Sequence, residues 1–244
     1  MDMLSSTYPL VRILATRLLM DHRHQRNLAA LATRYAVGLM ELVTPEEYRR
    51  LLAEADRLVA GGSDRGDAGT SDPRKQRSDY LPWRNRAIIY VLLETGMRRA
   101  GVTSLLQDTI NWIHGQVTIA GKGGKTEVYA ISPHALTAVS DYLKHEREQD
   151  AEYWRGQPAI FLAANSIRRG DGQLTNRIWD AVCNKAGVIN RNPHSARHHM
   201  GNRIMKKTGN AAAVAKQLNH TRLEMALAYS APTFNSIRDL LNEN

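Results

Sequence analysis

Residues 192–198 read Asn192-Pro193-His194-Ser195-Ala196-Arg197-His198. Asn192 is a favourable residue for the N-cap of a helix, and Pro193 suits the first helical position. His194, Arg197 and His198 are spaced so that they share one helical face. Backbone N–H groups at a helix start also attract phosphate. The stretch predicts a helix whose first turns carry two imidazoles and one guanidinium on one face. The alternative is an ordinary solvated helix face, which would show the same pattern.

Helical periodicity extends over most of the chain on either side of this stretch. Pro45 predicts a helix start, and residues 84–94 form a nearly continuous apolar helix that Gly96 ends. Further helices are predicted at 134–147, 174–187, 193–207, 210–217 and 222–229. With one predicted hairpin, the expected fold is mainly α with a small antiparallel β-sheet, an α+β architecture.

The predicted hairpin consists of two short alternating strands at 116–120 and 126–131. The turn between them contains Gly121-Lys122-Gly123-Gly124-Lys125. Its glycines allow a tight bend and a close approach to another backbone. Lys122 is the candidate general acid that protonates a departing 5′ oxygen, and Lys125 is the alternative for that role.

A helix break carries the first candidate arginine, in the stretch Thr95-Gly96-Met97-Arg98. Arg98 is expected where one helix stops and the next one starts. A planar guanidinium can donate twice to phosphate oxygens, so Arg98 and Arg197 are candidates for stabilising charge on a phosphate. The neighbouring Arg99 competes with Arg98 for this role.

His220 and Tyr229 are nine residues apart. Thr221-Arg222-Leu223-Glu224 is a capping-box pattern, so a helix is expected to begin after His220. His220 can then face the other candidates, while Tyr229 is presented from the end of the short helix. The Tyr229 phenol is the candidate nucleophile that attacks phosphorus and leaves a 3′-phosphotyrosine. The alternative is a packing role for a lone tyrosine in an alanine-rich helix.

Together these groups are what attack on a phosphodiester needs in the absence of a metal. Charge that builds on the non-bridging oxygens must meet cations and donors that are already in place. We therefore expect neither a metal nor a nucleotide cofactor. The candidate catalytic residues are Arg98, Lys122, His194, Arg197, His220 and Tyr229.

The charge balance agrees with a polyanionic substrate. Lys and Arg number 33 against 24 Asp and Glu, for a net charge of +9. Such an excess favours nucleic acid as a partner, although an unevenly charged, solvated surface is the alternative. The single cysteine, Cys183, excludes an internal disulfide and is expected to be a buried thiol. No membrane span or signal peptide is expected, which predicts a cytoplasmic, nucleoid-associated protein.

The order of these motifs resembles the tyrosine recombinase (phage integrase-like) catalytic domain, from about Thr44 to the C-terminus. The segments that carry the resemblance are Thr95-Gly96-Met97-Arg98, Gly121-Lys122-Gly123, His194-x-x-Arg197-His198, Leu218-Asn219-His220 and Tyr229. The resemblance implies a site-specific recombinase or integrase, as found in mobile elements, that cleaves and rejoins double-stranded DNA through a covalent phosphotyrosine. It further implies self-association as a tetramer on DNA through the C-terminal tail, which could instead cap its own domain.

The resemblance also divides the chain. Residues 1–40 are expected to be a helical remnant of the family's core-binding domain, and residues 41–244 the catalytic domain. Within the latter we expect a flexible loop at 61–79 and a tail at 230–244. Gly101 stands where the family usually has an acidic residue, which is expected to leave Arg98 without a partner. Asn219 replaces the usual glycine.

Two other functions share parts of this pattern. A type IB topoisomerase would use similar arginine, lysine, histidine and tyrosine chemistry to relax supercoiled DNA. A non-catalytic DNA-binding regulator derived from the same fold would bind DNA without a covalent adduct. The His194-x-x-Arg197-His198 motif and the spacing from His220 to Tyr229 favour the recombinase.

Overall fold

The computed structural model describes residues 42–60, 81–121, 124–148, 155–162 and 172–220. The predicted N-terminal segment, the loop at 61–79, the helix at 222–229 and the C-terminal tail lie outside these residues, as do Lys122 and Tyr229. The predicted domain division at residue 40 therefore stays a prediction.

The described residues form α-helices and one small sheet. The helices are α1 (Pro45–Ala60), α2 (Pro82–Thr95), α3 (Arg99–Thr103), α4 (Pro133–Tyr142), α5 (Gly172–Lys185), α6 (Pro193–Thr208) and α7 (Ala211–Leu218). The strands are β1 (Ile110–Asn111), β2 (Gln116–Ala120) and β3 (Thr126–Ala130). A 3-10 turn covers Gln107–Thr109, and a π-helical turn covers Leu143–Arg147. This confirms the expected mainly α fold with a small antiparallel sheet.

Helix α2 is the centre of the core. All of its side chains from Ala87 to Leu93 are buried, as expected for a stretch of helix that is apolar on every face. Burial of each large aliphatic side chain contributes about 1.5–3 kcal/mol. The helix begins at Pro82 and ends where Gly96 takes a φ of 68°, so the predicted glycine stop is confirmed.

One arginine at the start of α2 is structural. Arg84 is only 1% exposed, and its Nη1 donates to the carbonyl oxygen of Leu162 at 2.9 Å. Glu146 accepts from the backbone N–H of Arg84 at 3.0 Å, which satisfies one of the free amide groups of the first turn. A guanidinium at this depth holds the segment near Leu162 and is not a surface contact for phosphate.

The sheet is antiparallel, in the order β1-β2-β3. Val117 lies opposite Ile110 in β1 and opposite Tyr129 in β3, and all three side chains are buried. In the β2–β3 turn, the N–H of Gly121 donates to the carbonyl oxygen of Lys125 at 2.6 Å. The predicted hairpin is thus confirmed, with β3 as an edge strand.

Helices α6 and α7 pack as a pair through a small apolar cluster. Its buried members are Met200, Met205, Val214 and Leu218. Helix α6 ends at Thr208 and is capped by Gly209, which has a φ of 60°. The Asn210 side chain then accepts from two backbone N–H groups of α7. The sharp turn between the helices brings the end of α7 back toward the start of α6.

Cys183 is buried, which confirms the expected structural thiol. Burial raises the pKa of the thiol to about 12, so the thiolate is not formed at neutral pH. Among the helices in the described ranges, none combines the length and apolar character that crossing a membrane requires.

Candidate active site

Arg98 lies between two helices, as its sequence position predicts. It precedes the first residue of α3 with extended backbone angles, φ −68° and ψ 150°. About half of its side chain is exposed, and its Nη1 lies 3.5 Å from Oε1 of Glu127 on β3. Arg99 instead donates to Asn176 on α5 at 2.9 Å. These contacts place Arg98 beside the sheet and Arg99 against α5, which favours Arg98 as the candidate for contact with a phosphate.

The ion pair with Glu127 corrects the expectation that Gly101 leaves Arg98 without a partner. A Cβ at Gly101 would lie 2.9 Å from Cδ1 of Ile119, so any side chain at this position would require the Ile119 side chain to shift. The acid comes from β3 instead. Glu127 also accepts a hydrogen bond from the hydroxyl of the buried Tyr129 at 2.7 Å, which fixes its orientation.

Arg197 is the buried link of the site. It lies in the second turn of α6 and is only 3% exposed. Its Nη1 donates to the carbonyl oxygen of Gly96 at 2.9 Å, and its Nη2 donates to the carbonyl oxygen of Leu218. Gly96 lies two residues before Arg98, and Leu218 two residues before His220. One guanidinium thus joins the segments of three predicted site residues.

Close packing around Gly96 reinforces this junction. A Cβ at Gly96 would lie 2.8 Å from Cδ2 of Leu218 and 3.0 Å from Cβ of Met200. The positive φ and the missing side chain are therefore both required at this position. Helix α2 can end in direct contact with α6 and α7 only because the residue here is glycine.

The start of α6 has the predicted cap. Oδ1 of Asn192 accepts from the N–H groups of His194 and Ser195 at 2.8 and 3.2 Å. The rings of His194 and His198 meet edge to face, with centroids 4.5 Å apart. Burial lowers the pKa of His198 to about 4, and the charges of His194 and Arg197 add to this effect. The predicted common face of these residues is confirmed.

His220 directly follows the C-terminal turn of α7. Its N–H donates to the carbonyl oxygen of Ala215 at 2.9 Å, the long closure of a Schellman-type helix end. Burial lowers the pKa of His220 to about 4, and the positive charges of Arg197, Arg98 and His194 contribute in that order. The imidazole is therefore neutral at pH 7.

Asn219 explains how this chain does without the usual glycine before His220. It has a φ of 47°, in the left-handed region that asparagine tolerates better than other residues with a side chain. Its Nδ2 donates to the carbonyl oxygen of Val128 on β3 at 3.0 Å. The substitution thus keeps the required backbone turn and adds a tie to the sheet.

An open groove of about 1360 Å³ runs between α3, the hairpin and the end of α7. Its lining includes Arg98, Gly121, Lys125, Glu127 and His220. Arg197 and His194 are not part of this lining. Arg197 reaches the same junction from the interior, and His194 is exposed on α6.

The remaining two predicted residues, Lys122 and Tyr229, lie outside the described residues, and their roles stay predictions. Lys125, the alternative general acid, is exposed at the groove. Within the described ranges, no group of three His, Cys, Asp or Glu side chains is arranged to hold a metal ion.

Sequence reasoning missed Glu127 and Gln217. Glu127 and Tyr129 are two residues apart, so they lie on the same face of β3. The buried tyrosine on that face is a signal that could have indicated a role for Glu127. Gln217 donates to the carbonyl oxygen of Thr95 at 2.9 Å, a contact that links residues 122 positions apart and has no local signature.

Comparison with known proteins identifies relatives of this arrangement. The model of the phage integrase family matches residues 42–236. The tyrosine recombinase XerC of Alcanivorax borkumensis is 28% identical over 175 residues, which cover 70% of this chain and 53% of that protein. The tyrosine recombinase XerD of Mycobacterium tuberculosis is 28% identical over 248 residues, which cover 97% of this chain and 75% of that protein.

The solved structures agree on the fold. The XerH site-specific recombinase, bound to its difH substrate in a pre-cleavage complex, matches with a TM-score of 0.62 at 17% identity. The match covers 84% of this chain and 53% of the XerH chain. This chain thus spans about half the length of XerH and of the XerC relative.

Proposed function

This chain belongs to the phage integrase family, and we propose that it is a tyrosine-type site-specific recombinase that cleaves and rejoins DNA strands. The observation that carries the proposal is the pair of hydrogen bonds from Arg197 to Gly96 and Leu218. These bonds hold the segments of Arg98 and His220 at one point, as attack on a single phosphate requires. The relatives named tyrosine recombinases support the same reaction.

Arg98 and Arg197 have different parts in this proposal. Arg98 is half exposed in the groove, with Glu127 beside it, so its guanidinium can meet a phosphate that arrives from solvent. Arg197 is buried and brings a fixed positive charge to the back of the same site. Charge that develops on the non-bridging oxygens is then stabilised by cations that need no rearrangement.

His220 acts as a neutral imidazole before DNA binds, because its pKa lies near 4. In that form one ring nitrogen carries a hydrogen and the other accepts. Burial is the main cause of the lowered pKa of His220, and an incoming phosphate offsets the charges of Arg197 and Arg98 that add to it. The pKa of His220 therefore rises on binding, and His220 becomes a better donor to the phosphate.

The chemical step uses the two predicted residues that lie outside the described ranges. The Tyr229 oxygen attacks phosphorus and its phenolic proton passes to solvent water, while the bond from phosphorus to the 5′ oxygen breaks. Lys122 supplies the proton that the departing 5′ oxygen takes up. The phosphodiester energy is retained in the 3′-phosphotyrosine, so rejoining by the reverse attack needs neither ATP nor a metal.

The proposed partner is double-stranded DNA, in agreement with the net charge of +9. Affinity should fall steeply with salt, because neutralised phosphates release their counterions. We further propose assembly as a tetramer on DNA through the C-terminal tail. We also propose a cytoplasmic, nucleoid-associated location, which the proposed DNA substrate supports.

The experiment that tests this function is covalent trapping. A DNA duplex with a nick near the cleavage site loses a short fragment after attack, so the enzyme stays attached to the DNA. Purified protein should form an adduct that survives denaturing electrophoresis, and Tyr229→Phe should form none. Specific binding to the same duplex without any adduct would favour a non-catalytic regulator, and relaxation of plasmid without sequence preference would favour a topoisomerase.

A further inference from the structure

Side chains of α7 cover the free edge of β3. This strand pairs with β2 on one side and is the last strand of the sheet. An edge strand presents backbone N–H and C=O groups that need partners. In antiparallel pairing these groups point alternately toward and away from the paired strand, so Val128 and Ala130 present theirs on the same edge.

Gln217 occupies this edge with both atoms of its amide group. Its Oε1 accepts from the N–H of Ala130 at 3.0 Å, and its Nε2 donates to the carbonyl oxygen of Ala130 at 2.9 Å. The backbone of a neighbouring strand would make the same exchange of two bonds. Nε2 also donates to the carbonyl oxygen of Thr95, the last residue of α2, at 2.9 Å.

Asn219 adds a second contact along the same edge, through its bond to the carbonyl oxygen of Val128 at 3.0 Å. Gln217 and Asn219 are two residues apart, as are Ala130 and Val128. The side chains of Gln217 and Asn219 therefore occupy two alternate positions along the free edge of β3. Their contacts with β3 leave the hairpin little freedom to shift relative to α7.

Gln217 also forms a hydrogen bond with the C-terminal end of α2. The last carbonyl groups of a helix have no partner within the helix. Here Gln217 takes the carbonyl of Thr95, and Arg197 takes that of Gly96. Thr95 lies three residues before Arg98, and Ala130 three residues after Glu127. Gln217 itself lies three residues before His220.

We propose that Gln217 is a positioning residue for strand cleavage, which holds the β2–β3 hairpin in register with the segments of Arg98 and His220. The inference rests on the proposed function and deepens it. Gln217 lines the groove, but its amide group is bonded to the backbone of Ala130 and Thr95, so in this proposal it acts through the elements that carry the reacting groups. The competing explanation is a purely structural cover for the edge of β3, which would leave the rate of cleavage unchanged.

The first test replaces the amide with an apolar side chain of similar length, in the full chain. Gln217→Met is expected to slow cleavage of a nicked duplex at saturating DNA by about 10- to 100-fold, because small misplacements of reacting groups cost that much. Its affinity for DNA should stay close to that of the wild type. Gln173→Met, on the exposed side of α5, is the matched control and should cleave normally. Wild-type cleavage by Gln217→Met would overturn the proposal.

A second variant separates the donor from the acceptor. Gln217→Glu keeps an oxygen that accepts from the Ala130 N–H, but its carboxylate cannot donate to Thr95 or Ala130. Its rate deficit relative to the wild type at each pH should shrink as the pH falls, because the protonated carboxyl group regains a donor. A deficit that does not change with pH would contradict the donor role.

Hydrogen exchange at the Ala130 amide tests the bridge without any need for cleavage. Exchange should be faster in Gln217→Met than in the wild type and close to wild type in Gln217→Glu, which keeps the acceptor. Unchanged exchange in Gln217→Met would overturn the bridge itself. The wild-type chain could show the expected slow exchange at the Ala130 amide and still form no covalent adduct with DNA. The proposed function would then fail, and with it the role of Gln217 in cleavage.

Discussion

Arg197 donates from Nη1 to the carbonyl oxygen of Gly96 at 2.9 Å, across 101 positions of sequence. The same guanidinium reaches the carbonyl oxygen of Leu218 with Nη2. A planar group with donors in fixed directions can hold two backbone segments at once, which a single ammonium cannot do in the same way. The site therefore depends on Arg197 for its assembly as well as for its charge.

Replacement of Arg197 should affect both stability and cleavage. Arg197→Lys removes the forked contact and leaves at least one buried carbonyl unsatisfied, so we expect a loss of about 2–4 kcal/mol in the free energy of unfolding. Urea denaturation followed by circular dichroism measures this. Arg99→Lys, at an exposed arginine, is the control and should stay within about 0.5 kcal/mol. Equal stability of the two variants would contradict the structural role of Arg197.

Glu127 should matter for cleavage more than for stability. Glu127→Gln keeps an acceptor for the Tyr129 hydroxyl but loses the charge that orients Arg98. We expect cleavage to slow by about tenfold through misplacement of Arg98. The stability change should stay below about 1 kcal/mol, because the ion pair is partly exposed. Single-turnover cleavage beside the exposed control Glu46→Gln measures the effect, and equal rates in both variants would refute it.

The lowered pKa values of His198 and His220 predict how stability depends on pH. Both pKa values lie near 4 in the folded chain, whereas an unfolded histidine titrates near 6.5. Between these values the unfolded chain binds more protons, so stability falls as the pH drops from 7 toward 4. Urea denaturation of the wild type and of His198→Gln at pH 7 and pH 5 measures how the free energy of unfolding changes with pH. The carboxylates contribute to both proteins, so the difference between the two reports on His198. The variant should lose less stability; an equal loss would mean that the pKa of His198 is not lowered.

Lys122 can be tested through the leaving group. Lys122→Ala should slow cleavage of ordinary DNA by about 10²- to 10⁴-fold, the usual contribution of a general acid. A substrate with sulfur in place of the departing 5′ oxygen needs no proton, so the variant should cleave it at nearly the wild-type rate. Lys125→Ala serves as the control at the alternative lysine. Impairment of Lys122→Ala that is equal on both substrates would remove Lys122 from this role.

Local signals predicted the elements of the fold well. Gly96 ends α2 with a positive φ, and Asn192 caps α6, because each residue determines the backbone at its own position. The glycine turn located the β2–β3 hairpin for the same reason. Periodicity and caps act over a few residues, so a single sequence is enough to detect them.

The partners within the site were not predictable in the same way. Gly101 suggested that Arg98 lacks an acidic partner, yet Glu127 on β3 supplies one. Gln217 reaches β3 and α2 across distant parts of the sequence. Such contacts depend on how elements pack, and no local pattern in one sequence encodes them.

The most direct measurement is the identity of the residue that carries the DNA after trapping. Adduct formed on the nicked duplex can be digested with protease and nuclease, and the modified peptide sequenced by mass spectrometry. The account predicts one nucleotide-linked peptide, with the phosphodiester on the Tyr229 oxygen. Attachment at another side chain, or a complete lack of adduct from protein that binds and nicks the same duplex, would contradict it.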